Sequence, residues 1–191
     1  MAGRQAKTLS VDHLNDLLLF AETTQNPARN RVIVLLSVKA GLRACEIANL
    51  TWDMVLDGSG QLSTVIELRD RAAKKRSGRS IPIHGDLAAA LADWRLFGNR
   101  SEYVVGSQRG GPMTPLSIVI WFNRAFKNIG LQGCSSHSGR RTFITRAARL
   151  VHKVGGSLRD VQLLAGHRSI QTTQRYIDGD TDAQRKLVAM I

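Results

Sequence analysis

The chain opens with apolar residues at helical spacing. Val11, Leu14, Leu17, Leu18 and Ala21 share one face of a helix expected over residues 11–24, with Ser10 as its N-cap. A second helix is expected to start with Asn26 as cap and Pro27 at its first position. It should stop at Gly41, because glycine tolerates the left-handed conformation that ends helices. A short helix follows over 43–50. The pattern then turns from helical to β-like. Residues 62–68 are rich in β-formers and 80–83 form a second alternating piece, so a hairpin with a basic turn is expected. Helical spacing resumes over about 86–97, from Thr114-Pro115 to Gly130, and over 138–150, 158–165 and 170–177. A last short helix over 182–191 carries Ala183, Leu187, Val188 and Ile191 as a stripe, with Thr181 as cap. The expected fold class is mainly α with a small antiparallel β-sheet.

Length and composition narrow the picture. A chain of 191 residues, 43% of them apolar, suits one domain and can bury a core. No apolar run approaches the 18 residues or so of a membrane helix, and the amino terminus has no apolar stretch of a secretory signal. Cys45 and Cys134 lie in neither a CxxC nor a metal-binding spacing, which fits a reduced, cytoplasmic setting. Charge changes the picture most. Lys plus Arg number 27 against 15 Asp plus Glu, a net charge of +12. Such a surplus predicts a polyanionic partner, because neutralising phosphates releases counterions. The basic residues do not gather on one amphipathic helix, so a membrane surface is the weaker expectation.

Four segments carry candidate chemistry. Arg43, in Gly41-Leu42-Arg43-Ala44-Cys45-Glu46, follows a helix stop; alone it also reads as an ordinary surface arginine. The hairpin turn holds Arg69, Arg71, Lys74, Lys75, Arg76 and Arg79 against a single acid, Asp70. It suits a DNA groove or backbone, and equally a solvated charge run. His137-Ser138-Gly139-Arg140-Arg141 puts His137 and Arg140 on one helix face, offering one phosphate a titratable group and a fixed cation. Leu163-Leu164-Ala165-Gly166-His167 is followed by Thr172-Thr173-Gln174-Arg175-Tyr176. The other tyrosine, Tyr103, lies in an apolar strand-like piece and reads as core. His13, His84 and His152 are isolated and read as structural or surface.

Taken together, in this order and spacing, these segments resemble the tyrosine recombinase (phage integrase) family over about residues 9–177. Arg43 in Gly-Leu-Arg-x-x-Glu matches the family's first catalytic arginine. Lys74, eight residues before Pro82, matches its hairpin lysine. His137 and Arg140 match His-x-x-Arg, His167 in Leu-x-Gly-His matches the third basic position, and Tyr176 matches the nucleophile. Ser138 and Gly139 depart from the acidic and apolar residues common between His and Arg, a departure confined to spacers. The resemblance implies the tyrosine recombinase catalytic-domain fold over residues 1–181, with a tail helix over 182–191 that family members exchange around a tetramer. No amino-terminal core-binding domain is expected.

The resemblance also implies a chemistry. A phenol, with its ordinary pKa near 10, needs help as a nucleophile at neutral pH. Arg43 and Arg140 would clamp the phosphate's non-bridging oxygens, Lys74 would protonate the 5′-oxygen, His137 would manage the tyrosine proton, and His167 would hydrogen-bond the phosphate. The product is a 3′-phosphotyrosyl link that a 5′-hydroxyl of a partner strand reverses, with neither ATP nor a metal. The sequence carries no GxxxxGK[ST] loop, no HExxH and no clustered carboxylates of a two-metal nuclease. Glu46 is expected to pair with a neighbouring basic group. Lys75, Arg76, Arg79 and Arg141 are expected to contact double-stranded DNA, as a cytoplasmic, nucleoid-associated protein working as a homo-oligomer on paired sites. Two alternatives stay open: a tyrosine-type topoisomerase, and a DNA-binding module that kept the fold without the activity.

Overall fold

The computed structural model describes residues 6–74, 76–96, 101–176, 185 and 188–191. The elements run α1 (Val11–Glu22), α2 (Pro27–Lys39), α3 (Ala44–Ala48), β1 (Val65–Leu68), β2 (Arg79–Pro82), α4 (Gly85–Leu96), α5 (Pro115–Asn128), α6 (Ser138–Leu150), α7 (Leu158–Ala165) and α8 (Ile170–Gln174). This is the mainly helical fold with a minor hairpin that the periodicity predicts. Half of the tail expected over 182–191 lies outside the described residues, as do Phe97 and Lys75; in the other half the Ala189 N–H donates to the Arg185 carbonyl at 3.0 Å.

Local chemistry sets these boundaries. The Ser10 hydroxyl accepts from the backbone N–H of His13, whose ring in turn accepts from the Ser10 N–H, so α1 starts with a reciprocal cap. Thr114 Oγ1 accepts from the Ser117 N–H ahead of Pro115 and starts α5 in the same way. Asn26 occupies the cap position of α2, but its side chain makes no capping bond. The strand expected from residue 62 begins only at Val65. Leu62 instead pairs with Leu56 across a turn in which Asp57 Oδ1 accepts from the N–H groups of Ser59 and Gln61. The helix expected to reach residue 177 ends at Gln174, where the Tyr176 N–H turns back to the Thr173 carbonyl at 3.0 Å. Tyr176 therefore leaves helical geometry just before the described segment ends.

The core is organised on α2. Val32, Ile33, Leu36 and their neighbours bury the helix nearly all round, against α1, α4 and α6. In the two-stranded sheet Ile66 faces Ile81 and Leu68 faces Arg79. A smaller cluster of Ile144, Ala148, Val151, Val161 and Ala165 joins α6 to α7, with Phe143 and Tyr176 packed on it. Gly41, at φ +65°, turns the chain out of α2; a Cβ there would fall 2.4 Å from Phe143 Cδ1, so only glycine fits. No helix among the described residues is long and apolar enough to cross a membrane.

Candidate active site

Three chain turns meet at the carboxyl end of α2. The first is the Gly41-Leu42-Arg43 bend into α3. Arg43 is the residue before α3, and Glu46 reaches back to it: Glu46 Oε2 accepts from the Arg43 N–H at 3.1 Å and Oε1 from the Arg43 guanidinium at 2.7 Å. Glu46 is fully buried, and its second partner is Arg79, whose Nη2 lies 3.0 Å from Oε2. Burial alone would raise the pKa of this carboxyl. The hydrogen bond and charge of Arg79, followed by those of Arg43, overcome that and hold it down at about 2.

The second turn is the start of α6. Arg140, 4% exposed, points into the body of the protein. Its Nη1 donates to the Gly41 carbonyl and its Nη2 to the Ala165 carbonyl, both at 2.6 Å. The Ala165 carbonyl ends α7, where the helix dipole is negative, and the Gly41 carbonyl lies just past the end of α2, so the buried cation is neutralised in part by peptide groups. Burial, with Arg43 second, lowers its pKa to about 10, which leaves it charged at neutral pH. His137, at the cap position of α6, stands at the rim of the cleft; partial burial of its ring, then Lys74, Arg140 and Arg43, push its pKa down and favour the neutral ring.

The third turn follows α7. Gly166 is left-handed at φ +62° and ends the helix. His167 Nε2 lies 3.1 Å from Arg140 Nη2, and Nδ1 lies 2.9 Å from Thr173 Oγ1. A guanidinium only donates, so Nε2 is the acceptor, Nδ1 carries the hydrogen, and the ring is neutral. Burial and then the charges of Arg140, Arg43 and Arg79 agree, lowering its pKa to about 4. The Tyr176 ring stacks on His167 with centroids 5.5 Å apart and planes 24° from parallel.

A cleft of about 390 Å³ results, lined by Arg43, His137, Arg140, Arg141, His167, Thr172, Arg175 and Tyr176. An adjoining one of about 270 Å³ shares Arg43, His167 and Thr172 and adds Lys74. The arrangement presents cations, two neutral imidazoles and a phenol to one small volume, which suits a phosphodiester. Among the described residues there is no cluster of three or more His, Cys, Asp or Glu side chains that could hold a metal ion.

The model of the phage integrase family matches residues 7–182. The chain belongs to this family. Tyrosine recombinase XerC of Brucella melitensis biotype 1 is 28% identical over 166 residues, covering 84% of this chain and 50% of that protein. XerC of Xylella fastidiosa strain M23 is 26% identical over 173 residues, covering 89% and 55%. The chain thus spans about half the length of the curated relatives it matches. The crystal structure of XerA recombinase superposes with a TM-score of 0.74 at 25% identity, covering 96% of this chain and 64% of that one. XerH site-specific recombinase, bound to palindromic difH substrate in a post-cleavage complex, gives 0.76 at 19% identity, covering 99% and 54%. The fold is that of tyrosine recombinase catalytic domains.

All the residues singled out from the family's motifs (Arg43, Lys74, His137, Arg140, His167 and Tyr176) come together in this family site. Two side chains expected at DNA have partners within the protein. Arg79, expected on DNA, is turned inward with its side chain 6% exposed, committed to Glu46 and to the Leu164 carbonyl. His167, expected to hydrogen-bond a phosphate, has both ring nitrogens engaged by Arg140 and Thr173. Arg76 is exposed in the hairpin turn with φ +52°, and Arg141 lines the cleft half-buried. Sequence reasoning gave no role to Thr173, which is fully buried and holds His167, nor to Thr172 and Arg175, which line the cleft. Their one signal was their place in the segment that leads to Tyr176.

Proposed function

We propose that this chain cuts and rejoins double-stranded DNA, with the Tyr176 hydroxyl as nucleophile. The observation that carries this reading is Tyr176 stacked on His167 in the cleft that also holds Arg43, His137 and Arg140. Tyr176 Oη forms a bond to phosphorus while the bond from phosphorus to the 5′-oxygen breaks. His137, poised neutral, takes the phenolic proton. The Lys74 ammonium gives a proton to the departing 5′-oxygen. Arg43 and Arg140 stabilise the charge that builds on the non-bridging oxygens, each by roughly 3–4 kcal/mol on the scale of a preorganised oxyanion donor. His167 orients Arg140. The result is a 3′-phosphotyrosyl link and a free 5′-hydroxyl. One phosphate ester bond forms for each that breaks, so a 5′-hydroxyl from a partner strand reverses the step without an external energy source.

Lys75, Arg76 and Arg141 are placed in this reading on the DNA backbone. Solved relatives bound to DNA, such as XerH on its difH substrate, support a DNA partner. Assembly as a tetramer on paired sites, exchange of residues 182–191 between protomers, and a cytoplasmic, nucleoid-associated location belong to the same proposal. The test is a pool of duplexes nicked beside a randomised site, so that the 5′-fragment diffuses away after cleavage. Protein–DNA adducts that survive denaturation are expected, and sequencing them reveals the site. Tyr176→Phe should form none and retain its DNA affinity. Adducts from Tyr176→Phe would overturn the assignment of the nucleophile. Binding without any adduct from the wild type would leave a DNA-binding module.

A further inference from the structure

Arg79 does something that its place in a basic hairpin hides. It opens β2, directly across from Leu68 and on the same face as buried Ile81. Its guanidinium joins three segments of chain. Nη2 and Nη1 lie 3.0 and 3.4 Å from the two oxygens of Glu46, the residue that also holds Arg43. Nε donates at 2.8 Å to the carbonyl of Leu164, three residues before His167. Nη1 also donates to the Ser77 carbonyl at 3.4 Å, and the Ser77 hydroxyl donates to the Lys74 carbonyl at 2.8 Å. The fit is close: a Cβ on Gly166 would fall 2.9 Å from Arg79 Nη1.

From these contacts we propose that Arg79 is a positioning residue, fastening the hairpin that carries Lys74 and the turn that carries His167 to the Glu46–Arg43 pair. The proposal rests on the recombinase reading of the site. The fork of a guanidinium is needed for it. Arginine presents donors in several fixed directions, whereas a lysine ammonium is one point charge on a flexible stem. Lys at this position can satisfy Glu46 or the Leu164 carbonyl, but its single nitrogen cannot reproduce the spread of contacts to Glu46, Leu164 and Ser77. The acid and the phosphate-facing groups then lose their fixed separation, and cleavage slows while DNA binding does not. Outer partners of this kind are worth 10–100-fold when they orient functional side chains, and the same scale is expected here.

The test compares wild type, Arg79→Lys and Arg79→Met on a nicked duplex recovered from the selection described above. Adduct formation by bound enzyme should fall roughly 10–100-fold in both variants, with the dissociation constant within about twofold of wild type. A readout that a purely structural role would not move is the titration of His167, followed by NMR on protein with 15N-labelled histidine. Arg79→Met removes a nearby charge and should raise the pH at which this ring protonates, whereas Arg79→Lys should leave it close to wild type. If Arg79→Met is poorly folded, Arg79→Lys carries the rate test on its own. Wild-type cleavage by either folded variant overturns the proposal. So does a loss of DNA affinity that matches the loss of cleavage, which would make Arg79 a DNA contact. Failure of the wild type to form adducts would instead count against the recombinase reading.

Discussion

Glu46→Gln tests how far this site depends on one carboxylate. Glu46 is fully buried between Arg43 and Arg79, and Arg140 lies close enough for its pKa to respond to the same charge. Its own pKa falls from an ordinary 4.5 to about 2. A shift of that size means roughly 3 kcal/mol in favour of the folded state, comparable to the cost of leaving a buried ion pair without one partner. Glutamine keeps the shape and loses the charge. At neutral pH the variant should unfold roughly 3 kcal/mol more easily in urea. The pH dependence has a fixed sign. The folded pKa lies below the unfolded one, so the stabilisation is complete above the unfolded value and fades as pH falls towards 2. The gap between wild type and variant should therefore close on acidification, with more than half gone by about pH 3. A gap that stays constant with pH, or one below about 1 kcal/mol at neutral pH, refutes the reasoning.

Four further outcomes are expected. Arg43→Ala and Arg140→Ala should lower the rate of adduct formation by roughly 10²–10³ and change DNA affinity little, whereas Lys75→Ala with Arg76→Ala should flatten the salt dependence of binding by about one slope unit per lost phosphate contact. A base such as His137 works only when neutral, and its pKa is lowered, so the adduct rate should hold as pH falls to about 6.5 and drop only below it; a rate that rises on acidification excludes His137 as the base. Gly139→Ala places a Cβ 2.3 Å from Ser37 Oγ, forcing α6 away from α2 and Arg140 away from the Gly41 carbonyl, so it should cost roughly 1–3 kcal/mol in thermal unfolding, partly recovered by Ser37→Gly in the same chain.

Much of this was written in the sequence, and the misses have physical causes. The periodicity of α1, α5 and α6 and the caps Ser10 and Thr114 mark their own helices because each signal is local. Arg79 sits beside a turn whose charge reads as solvated. Yet β2 alternates, and Arg79 shares the parity of Ile81, which is 1% exposed; extending the strand by one residue would have turned its side chain inward. The partners of His167 are hidden in the sequence because its ring nitrogens meet the Arg140 guanidinium, 27 residues away, and the Thr173 hydroxyl, and spacing alone says nothing about which ring nitrogen is occupied. Gly139 looked like a mere spacer. Its role is set by Ser37 on another helix, which no window along the chain contains.

The way Arg140 is held bears on how the site keeps its charge for substrate. A buried guanidinium needs compensation, and a carboxylate in direct contact would supply it while cancelling the field that a phosphate must meet. Here the direct contacts are instead the Gly41 carbonyl, just past the end of α2, and the Ala165 carbonyl, at the end of α7. A helix carboxyl terminus behaves as about half a negative charge, spread over peptide groups that cannot rotate towards the guanidinium or be protonated. The end of α7 and the Gly41 carbonyl make burial tolerable and fix the plane of the cation without a mobile counter-ion. The full carboxylate, Glu46, is displaced to the far side, where Arg43 and Arg79 share it. Three guanidiniums thus face one carboxylate and two carbonyls, one of them at a helix end, and the remainder is a net positive cleft beside Tyr176. That surplus is what a phosphodiester entering the cleft would neutralise, and it grows in value as charge accumulates on the non-bridging oxygens during attack.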